Sequence, residues 1–360
     1  MPHNNPIILA IDTSCDETSI AVTQGQKILS NAIASQIELH KQYGGVFPTV
    51  AKQAHKDNIE PTIKAALKKA KIKLSELTAI AVTQGPGLAP ALEIGITKAK
   101  ELGQQLKIPV LPINHIEGHS ISVLAQPTPK NKNFKPINPQ FPVLSIIVSG
   151  GHTEFILINK IGSYQKLGFT LDDAAGECLD KVGRLLGLGY PAGSVVEKLA
   201  KKGNAKAFPF PLPMTTSNDF NLSFSGIKTH SKNAIKKLET EKKLNPKTIA
   251  DFCASLQFGV FKHLTYKLKK LLTKIEIKEI WLGGGVAANV LLRANLRKIA
   301  QKKQIKFRAP YSKKLTGDNA AMIGVAAHYL YLRSSKKELE TLKKTPIDRK
   351  PHWSIENNSI

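Results

Sequence analysis

Apolar and polar positions follow one another along this chain in an order that occurs twice. The first apolar run, Pro6 to Ala10 and Ile11, turns polar at Asp12-Thr13-Ser14, which predicts a buried strand over 6–14. A strand over 18–23 and another over 27–34 pair back through Gln24-Gly25-Gln26. A helix over 49–71 with outward lysines follows. Then come a strand over 77–83 running into Gly85-Pro86-Gly87, a helix over 91–106 and a strand over 108–113. Residues 127–142, rich in Pro, Asn and Lys, are expected to form an exposed loop.

The order then restarts. Strands are expected over 143–148, 155–158 and 164–170, and a helix over 172–186. Residues 202–229, with Pro209, Pro211 and Pro213 close together, read as irregular. Asn245-Pro246 opens a long helix, proline fitting its first turn. Its apolar stripe is Ile249, Cys253, Leu256, Val260, Leu264, Leu268 and Leu271. A strand over 279–282 enters Gly283-Gly284-Gly285, a helix covers 287–303, and Asp318 opens a last helix to 333. The pattern predicts an α/β protein made of a duplicated domain with a central cleft. The first domain takes 1–114 with 310–345, the second takes 115–309, and a polar tail over 346–360 is expected to fray.

Composition narrows the partners. The chain of 360 residues has 52 Lys+Arg against 27 Asp+Glu, a formal net charge of +25. Such a balance favours a polyanion, nucleic acid first and a membrane surface second. A general lysine bias is the plainer alternative, since pairs such as Lys68-Lys69 and Lys302-Lys303 are spread through the chain. Cys15, Cys178 and Cys253 form no CxxC pair, and no basic residue precedes Lys27. With no apolar run of membrane-spanning length, these features lead us to expect a cytoplasmic protein with no membrane partner.

The stretch His115-Ile116-Glu117-Gly118-His119 carries the sharpest candidate chemistry. Two histidines four apart share one helix face, so both rings can reach one metal ion, with Asp318 as an acidic candidate far along the chain. The same spacing also fits two histidines on a solvated face. Glu117 lies about 200° round the helix from His115, so it is not the general base of an HExxH protease. Ser149-Gly150-Gly151-His152-Thr153 and Gly283-Gly284-Gly285 stand at strand ends, where backbone N–H groups can cradle a phosphate or simply make a tight turn. Asp172, Asp173, Glu177 and Asp180 crowd one helix start, where acids suit the dipole, and Asp180 can also accept from a ribose or an amino group.

Taken in order, several stretches resemble one family. They are Asp12-Thr13-Ser14-Cys15-Asp16-Glu17-Thr18, Gln84-Gly85-Pro86-Gly87-Leu88, His115 to His119, Val148 to Thr153, Asp172 to Glu177, Gly187-Leu188-Gly189-Tyr190-Pro191, Phe224 to Lys228, Gly284 to Asn289, and Asp318-Asn319. The chain resembles the universal tRNA threonylcarbamoyltransferases, in their bacterial TsaD branch, within the actin/hexokinase/Hsp70 (ASKHA) superfamily of ribonuclease-H-like domains. The resemblance implies transfer of a threonylcarbamoyl group from threonylcarbamoyl-AMP to N6 of the adenosine 3′ of the tRNA anticodon, releasing AMP. It implies one iron or zinc ion on His115, His119 and Asp318. It implies adenylate contacts at Ile147, Val148, Ser149, Gly150, Gly151, Asp180, Gly193, Glu197 and Asn289. A TsaB-like paralogue and a TsaE-like ATPase are the implied protein partners.

Asp16 and Glu17, on the rim of the first domain, are the candidate catalytic carboxylates. Against the bacterial relatives, Asp12 stands for Glu, Ser120 for an aliphatic residue and Lys100 for Arg. A small-molecule kinase or carbamoyltransferase of the same fold is the main rival. A kinase needs Mg²⁺ on carboxylates, to which the histidine pair is ill suited. A noncatalytic nucleic-acid binder would leave the metal and adenylate residues without a purpose.

Overall fold

The computed structural model describes residues 5–128 and 134–357. Its strands are β1 Ile7–Asp12, β2 Glu17–Gln24, β3 Lys27–Ser35, β4 Ala79–Gly85, β5 Val110–Asn114 and β6 Gln126–Pro127. After these come β7 Val143–Val148, β8 Thr153–Lys160, β9 Ser163–Phe169, β10 Glu279–Gly283 and β11 Lys306–Arg308. They form two sheets, ordered β5-β4-β1-β2-β3-β6 and β11-β10-β7-β8-β9. In each, the leading strand (β1 or β7) pairs antiparallel with its successor and parallel with the strand on its other side. The last strand, β5 or β11, adds in parallel at the edge. The expected duplication is therefore present, β1 to β5 answering β7 to β11, with β6 an addition to the first sheet.

Backbone contacts divide the chain into two compact units. Unit 1 comprises the described parts of 1–140, 159–164 and 309–360, and unit 2 comprises 141–158 and 165–308. The described residues of 115–140 thus belong with the first unit rather than the second. The reason is local: the helix His115–Ile121 is buried along its whole length, and a Cβ on Gly118 would stand 2.8 Å from Ile323 of the helix Ala320–Arg333.

In unit 1 the alternation of β1, β2 and β4 puts Leu9, Ile11, Ile20, Val22, Ile80 and Val82 on one face. Ile59 and Ile63 of the helix Pro48–Ala70 cover it, with Leu92 and Ile96 of the helix Ala89–Leu106. Each of these helices carries proline in its first turn and stops at a lysine in the left-handed region, Lys71 and Lys107. The helix Ala320–Arg333 lies on β1 and β2, where Ala320 N–H donates to Ser19 Oγ at 2.8 Å. The end of the chain does not fray within the described residues. Lys350 N–H donates to Gln84 O (2.8 Å), Gln84 Nε2 to Asp348 O (2.6 Å) and Gly87 N–H to Pro351 O (3.2 Å), while Ile347 and Ile355 are buried.

In unit 2 the helix Pro246–Leu271 is capped by Asn245, whose side chain accepts from Lys247 and Thr248 N–H. It buries the expected stripe from Cys253 to Leu271. Two helices lie outside the elements expected from sequence, Gly193–Ala200 and Ser225–Thr240. The second begins inside the stretch read as irregular. Its cap comes from far away: Asp172 accepts from Phe224 N–H (2.8 Å), Ser225 N–H (3.2 Å), Ser223 Oγ (2.5 Å) and Ser225 Oγ (2.6 Å). Asp172 and Asp173 are therefore not in the first turn of the following helix, which runs Ala175–Leu185. The Pro- and Asn-rich loop lies partly outside the described residues; 134–142 carries no regular structure.

Candidate active site

The histidine pair sits where β5 runs straight into the helix His115–Ile121. Asn114 makes that corner: its Oδ1 accepts from Ile116 N–H (2.9 Å) and Glu117 N–H (3.3 Å), a side-chain N-cap. Its Nδ2 donates to Trp353 O at 3.2 Å, tying the corner to the end of the chain. Both rings then project from one face, 4.6 Å apart between centroids. His119 Nε2 lies 3.1 Å and His115 Nε2 3.4 Å from Asp318 Oδ1. One donor atom from each of the three residues falls within 4.8 Å of the others.

Two buried imidazoles converging with one half-buried carboxylate suit a borderline transition metal rather than Mg²⁺ or Ca²⁺. The outer atoms support this fit. His115 Nδ1 is held by Ser14 Oγ at 3.1 Å, with Asp12 Oδ2 at 3.8 Å, so Nε2 is turned toward Asp318. Burial disfavours a charged His115 ring, but Asp318 and Asp12 outweigh it and raise its pKa to about 9. Burial keeps His119 below the ordinary histidine value despite Asp318. The charged His115 ring thus stands beside Asp318 where a cation would stand in its place. Asp12 does not point at the pocket with both oxygens. Its Oδ1 is used by Thr83 Oγ1 (2.9 Å) and Ser14 N–H (3.2 Å).

Glu117 turns the other way, as its place on the helix predicts. Its Oε1 accepts from Tyr164 OH at 2.5 Å and lies 3.7 Å from Arg333 Nη1.

The acid pair lies at the start of β2. Asp16 O accepts from Gln36 N–H at 3.0 Å, and Glu17 pairs with Ser35. Burial, then the charges of Asp16 and Asp318, raise the Glu17 carboxyl from 4.5 to about 10, so Glu17 holds a proton at neutral pH. The loop is pinned by His55, which sequence reading did not single out. Its Nε2 donates to Cys15 O (3.0 Å), leaving Nδ1 to accept from Thr18 Oγ1 (2.8 Å). Burial lowers its pKa, consistent with a neutral ring.

The remaining candidates all fall in unit 2. Ile147 and Val148 are the buried end of β7. Ser149 closes a turn with His152: its N–H donates to His152 O (2.8 Å), and its Oγ accepts from His152 N–H (2.9 Å). Gly150 and Gly151 between them face open space, with nothing within 4 Å of an added Cβ. Gly284, at φ +89°, presses against the Val148 backbone, whereas Gly285 again faces open space. A Cβ on Gly176 would meet Ser149 O at 2.5 Å and Val286 Cγ2 at 2.9 Å, so the β7 and β10 turns and the start of the helix Ala175–Leu185 form one surface.

The polar candidates here are all engaged. Asp180 Oδ1 accepts from Ala192 N–H (2.6 Å), at the start of the helix that Gly193 opens, and Asp180 Oδ2 pairs with Arg184 at 3.1 Å. Glu197 Oε1 accepts from Val290 N–H (2.9 Å). Asn289 caps the helix Val290–Lys302 through Leu291 and Leu292 N–H and donates to Gln257 Oε1 at 2.7 Å. Gln257, on the buried side of the long helix, carried no signal in the sequence.

The profile of the family "TsaD: tRNA N6-adenosine threonylcarbamoyltransferase" matches residues 27–325. The chain belongs to this family. Named relatives agree along nearly the whole length. A tRNA N6-adenosine threonylcarbamoyltransferase of Geotalea uraniireducens is 41% identical, covering 98% of this chain and 97% of that protein. One of Thermosipho melanesiensis is 44% identical, covering 93% and 98%. The TsaD family acts on tRNA, and this member is a transferase directed at N6 of an adenosine. Among solved structures, HypF of T. kodakarensis superposes with a TM-score of 0.59 at 15% identity, covering 93% of this chain and 49% of that chain. The (R)-2-hydroxyglutaryl-CoA dehydratase component A of Acidaminococcus fermentans gives 0.52 at 14%, covering 91% and 99%. These distant likenesses bear on the fold alone, which is that of the ASKHA class. No helix among the described residues is long and apolar enough to cross a membrane.

Proposed function

We propose that this TsaD-family chain transfers the threonylcarbamoyl group of threonylcarbamoyl-AMP to N6 of the adenosine 3′ of the tRNA anticodon, releasing AMP. The observation that carries the reading is the convergence of His115, His119 and Asp318, residues up to 203 positions apart, on one point. They would hold one iron or zinc ion, which when bound would supply Lewis acidity to the carbamoyl group. Ser14 and Asp12 fix the His115 ring for that task.

In unit 2, the exposed turn at Gly150 and Gly151 leaves room for the phosphate beside backbone N–H groups. Asp180 and Glu197 lie near the ribose, Gly193 and the end of β7 line the site, and the turn from Gly285 to Asn289 carries the adenine. The engaged carboxylates of Asp180 and Glu197 fix the two helix starts that shape this surface.

The adenosine N6 attacks the carbamoyl carbon, the carbon–oxygen bond to AMP breaks, and one N6 proton is lost. An exocyclic amine is a weak nucleophile, so positioning supplies much of the rate. Asp16 takes the proton, since a protonated Glu17 cannot. The chain works in the cytoplasm with a TsaB-like paralogue and a TsaE-like ATPase. The deciding experiment supplies threonylcarbamoyl-AMP carrying labelled threonine to the chain, tRNA and those partners, with and without a chelator. Label on the adenosine 3′ of the anticodon, lost with chelator, supports the reading. Phosphoryl transfer to a small acceptor instead would sink it.

A further inference from the structure

The short segment before Asp318 has a chemistry that the metal and adenylate roles leave unused. Tyr311 is 52% exposed, and among the described residues its ring stacks on no neighbour and its hydroxyl has no hydrogen-bond partner. Lys313 and Lys314 are exposed and form no ion pair among the described residues. The backbone beneath them is fixed. Ser312 Oγ accepts from Lys314 N–H (3.3 Å), Thr316 Oγ1 donates to Lys313 O (2.7 Å), and Leu315 and Thr316 are buried. Lys314 lies four positions before Asp318, so their Cα atoms are at most about 14 Å apart. An exposed aromatic ring and two unpaired ammonium groups are thus held on a hydrogen-bonded turn that leads into Asp318.

We propose that Tyr311, Lys313 and Lys314 form the tRNA-gripping edge of this site, Tyr311 stacking on an unpaired base and the two lysines contacting flanking phosphates. The inference rests on the reading of the site as a tRNA transferase and names the surface by which it takes that substrate. Single-stranded loops are recognised by stacking splayed bases on aromatic side chains, while lysines neutralise phosphates with release of counterions. Lysine is poorly suited to the core of a protein–protein interface, which weighs against a protein partner on this turn.

The test measures binding of fluorescent tRNA to the full chain with its partners, over about 50–200 mM salt. Lys313→Gln with Lys314→Gln is expected to flatten the log–log salt slope by about 1.4, and to weaken binding roughly tenfold. Tyr311→Ala is expected to weaken binding about tenfold without changing the slope, and Tyr311→Phe to restore it. In the transfer assay KM for tRNA rises while KM for threonylcarbamoyl-AMP stays put. Lys68→Gln with Lys69→Gln, which removes equal charge from the end of another helix, is expected to change the slope far less.

An unchanged slope in the Lys313/Lys314 variant, or an equal change in the Lys68/Lys69 variant, overturns the proposal. So does Tyr311→Phe binding as weakly as Tyr311→Ala. Loss of a protein partner with tRNA binding intact also overturns it. If the unaltered chain transfers nothing, the transferase reading fails instead. If it transfers normally and the variants match it, only the gripping edge fails.

Discussion

Gly284 and Gly285 are neighbours in one turn, yet the structure assigns them opposite sensitivities. Gly284 has φ +89°, and a Cβ there would run into the carbonyl of Val148, with Val148 C at 2.7 Å and N at 3.0 Å. Those atoms are backbone of β7, to which β10 is paired through Gly283 and Ile147, so neither side can yield cheaply. The unfavourable φ costs on the order of 1–3 kcal/mol. Forcing two paired strands apart adds about 1–3 kcal/mol, the usual range for overpacking. Gly284→Ala should therefore lose roughly 2–6 kcal/mol, a fall in melting temperature of about 10 °C. At Gly285 nothing lies within 4 Å of an added Cβ, and the residue opens a helical turn. Gly285→Ala should melt within about 2 °C of the parent, alanine being the better helix former. Its methyl group instead fills the space proposed for the adenine, so KM for threonylcarbamoyl-AMP should rise. Calorimetry and steady-state transfer kinetics on both variants decide the matter. A Gly284→Ala protein that melts like the parent, or a Gly285→Ala protein with unchanged KM, refutes the reasoning.

Other expectations concern the metal group and the acids. His119→Ala should abolish tight iron or zinc binding, measured by calorimetric titration, and should remove the rise in melting temperature that bound metal gives the parent chain. Asp16→Asn should cut transfer by a factor on the order of 10² or more, while Glu17→Gln, which mimics the protonated acid, should retain far more activity; equal losses would remove Asp16 from the role of base. Asp173 offers a pH test. Burial alone would raise its pKa, but Lys228 and Lys181 outweigh it and hold the carboxyl below the ordinary aspartate value. Its stabilisation is therefore complete above about pH 4 and lost as pH falls through the depressed value. Melting curves of the parent and Asp173→Asn should differ at about pH 7 and draw together only as the pH falls through the depressed value; a gap that does not narrow in acid would contradict the pairing.

Much of this could be read from the chain before its fold was known, because the informative features are local. The two meanders announce themselves through alternation and turn residues. The helix at Asn245-Pro246 shows its cap and stripe within one window. The histidine pair and the direction of Glu117 follow from helical periodicity. What escaped depends on partners distant in sequence. The helix Ser225–Thr240 has no local cap, since Asp172 supplies it from 53 residues away, and so the acids at 172 and 173 looked like the start of the next helix. Glu197, an adenylate contact by family resemblance, also accepts from the Val290 amide, a partner 93 residues away that no local pattern announces. Lys267 sits on the helix Pro246–Leu271, and lysine is a residue type expected in solvent. It is fully buried, its ammonium donating to Ser217 Oγ at 2.6 Å and Asp219 O at 3.2 Å. The end of the chain looked disposable because its composition is polar, yet Gln84 and Asn114 donate to its carbonyls.

The discontinuous make-up of unit 1 has a consequence for biosynthesis. Its sheet emerges from the ribosome first, but Asp318, the helix that covers β1 and β2, and the closing segment to 357 are made last. His119 and Asp318 stand 199 residues apart. Unit 2, encoded almost without interruption, can finish folding while its predecessor still lacks a wall and a metal donor. The unit begun first is completed last, and a ribosome-bound chain ending before residue 318 should capture no metal however long it is given.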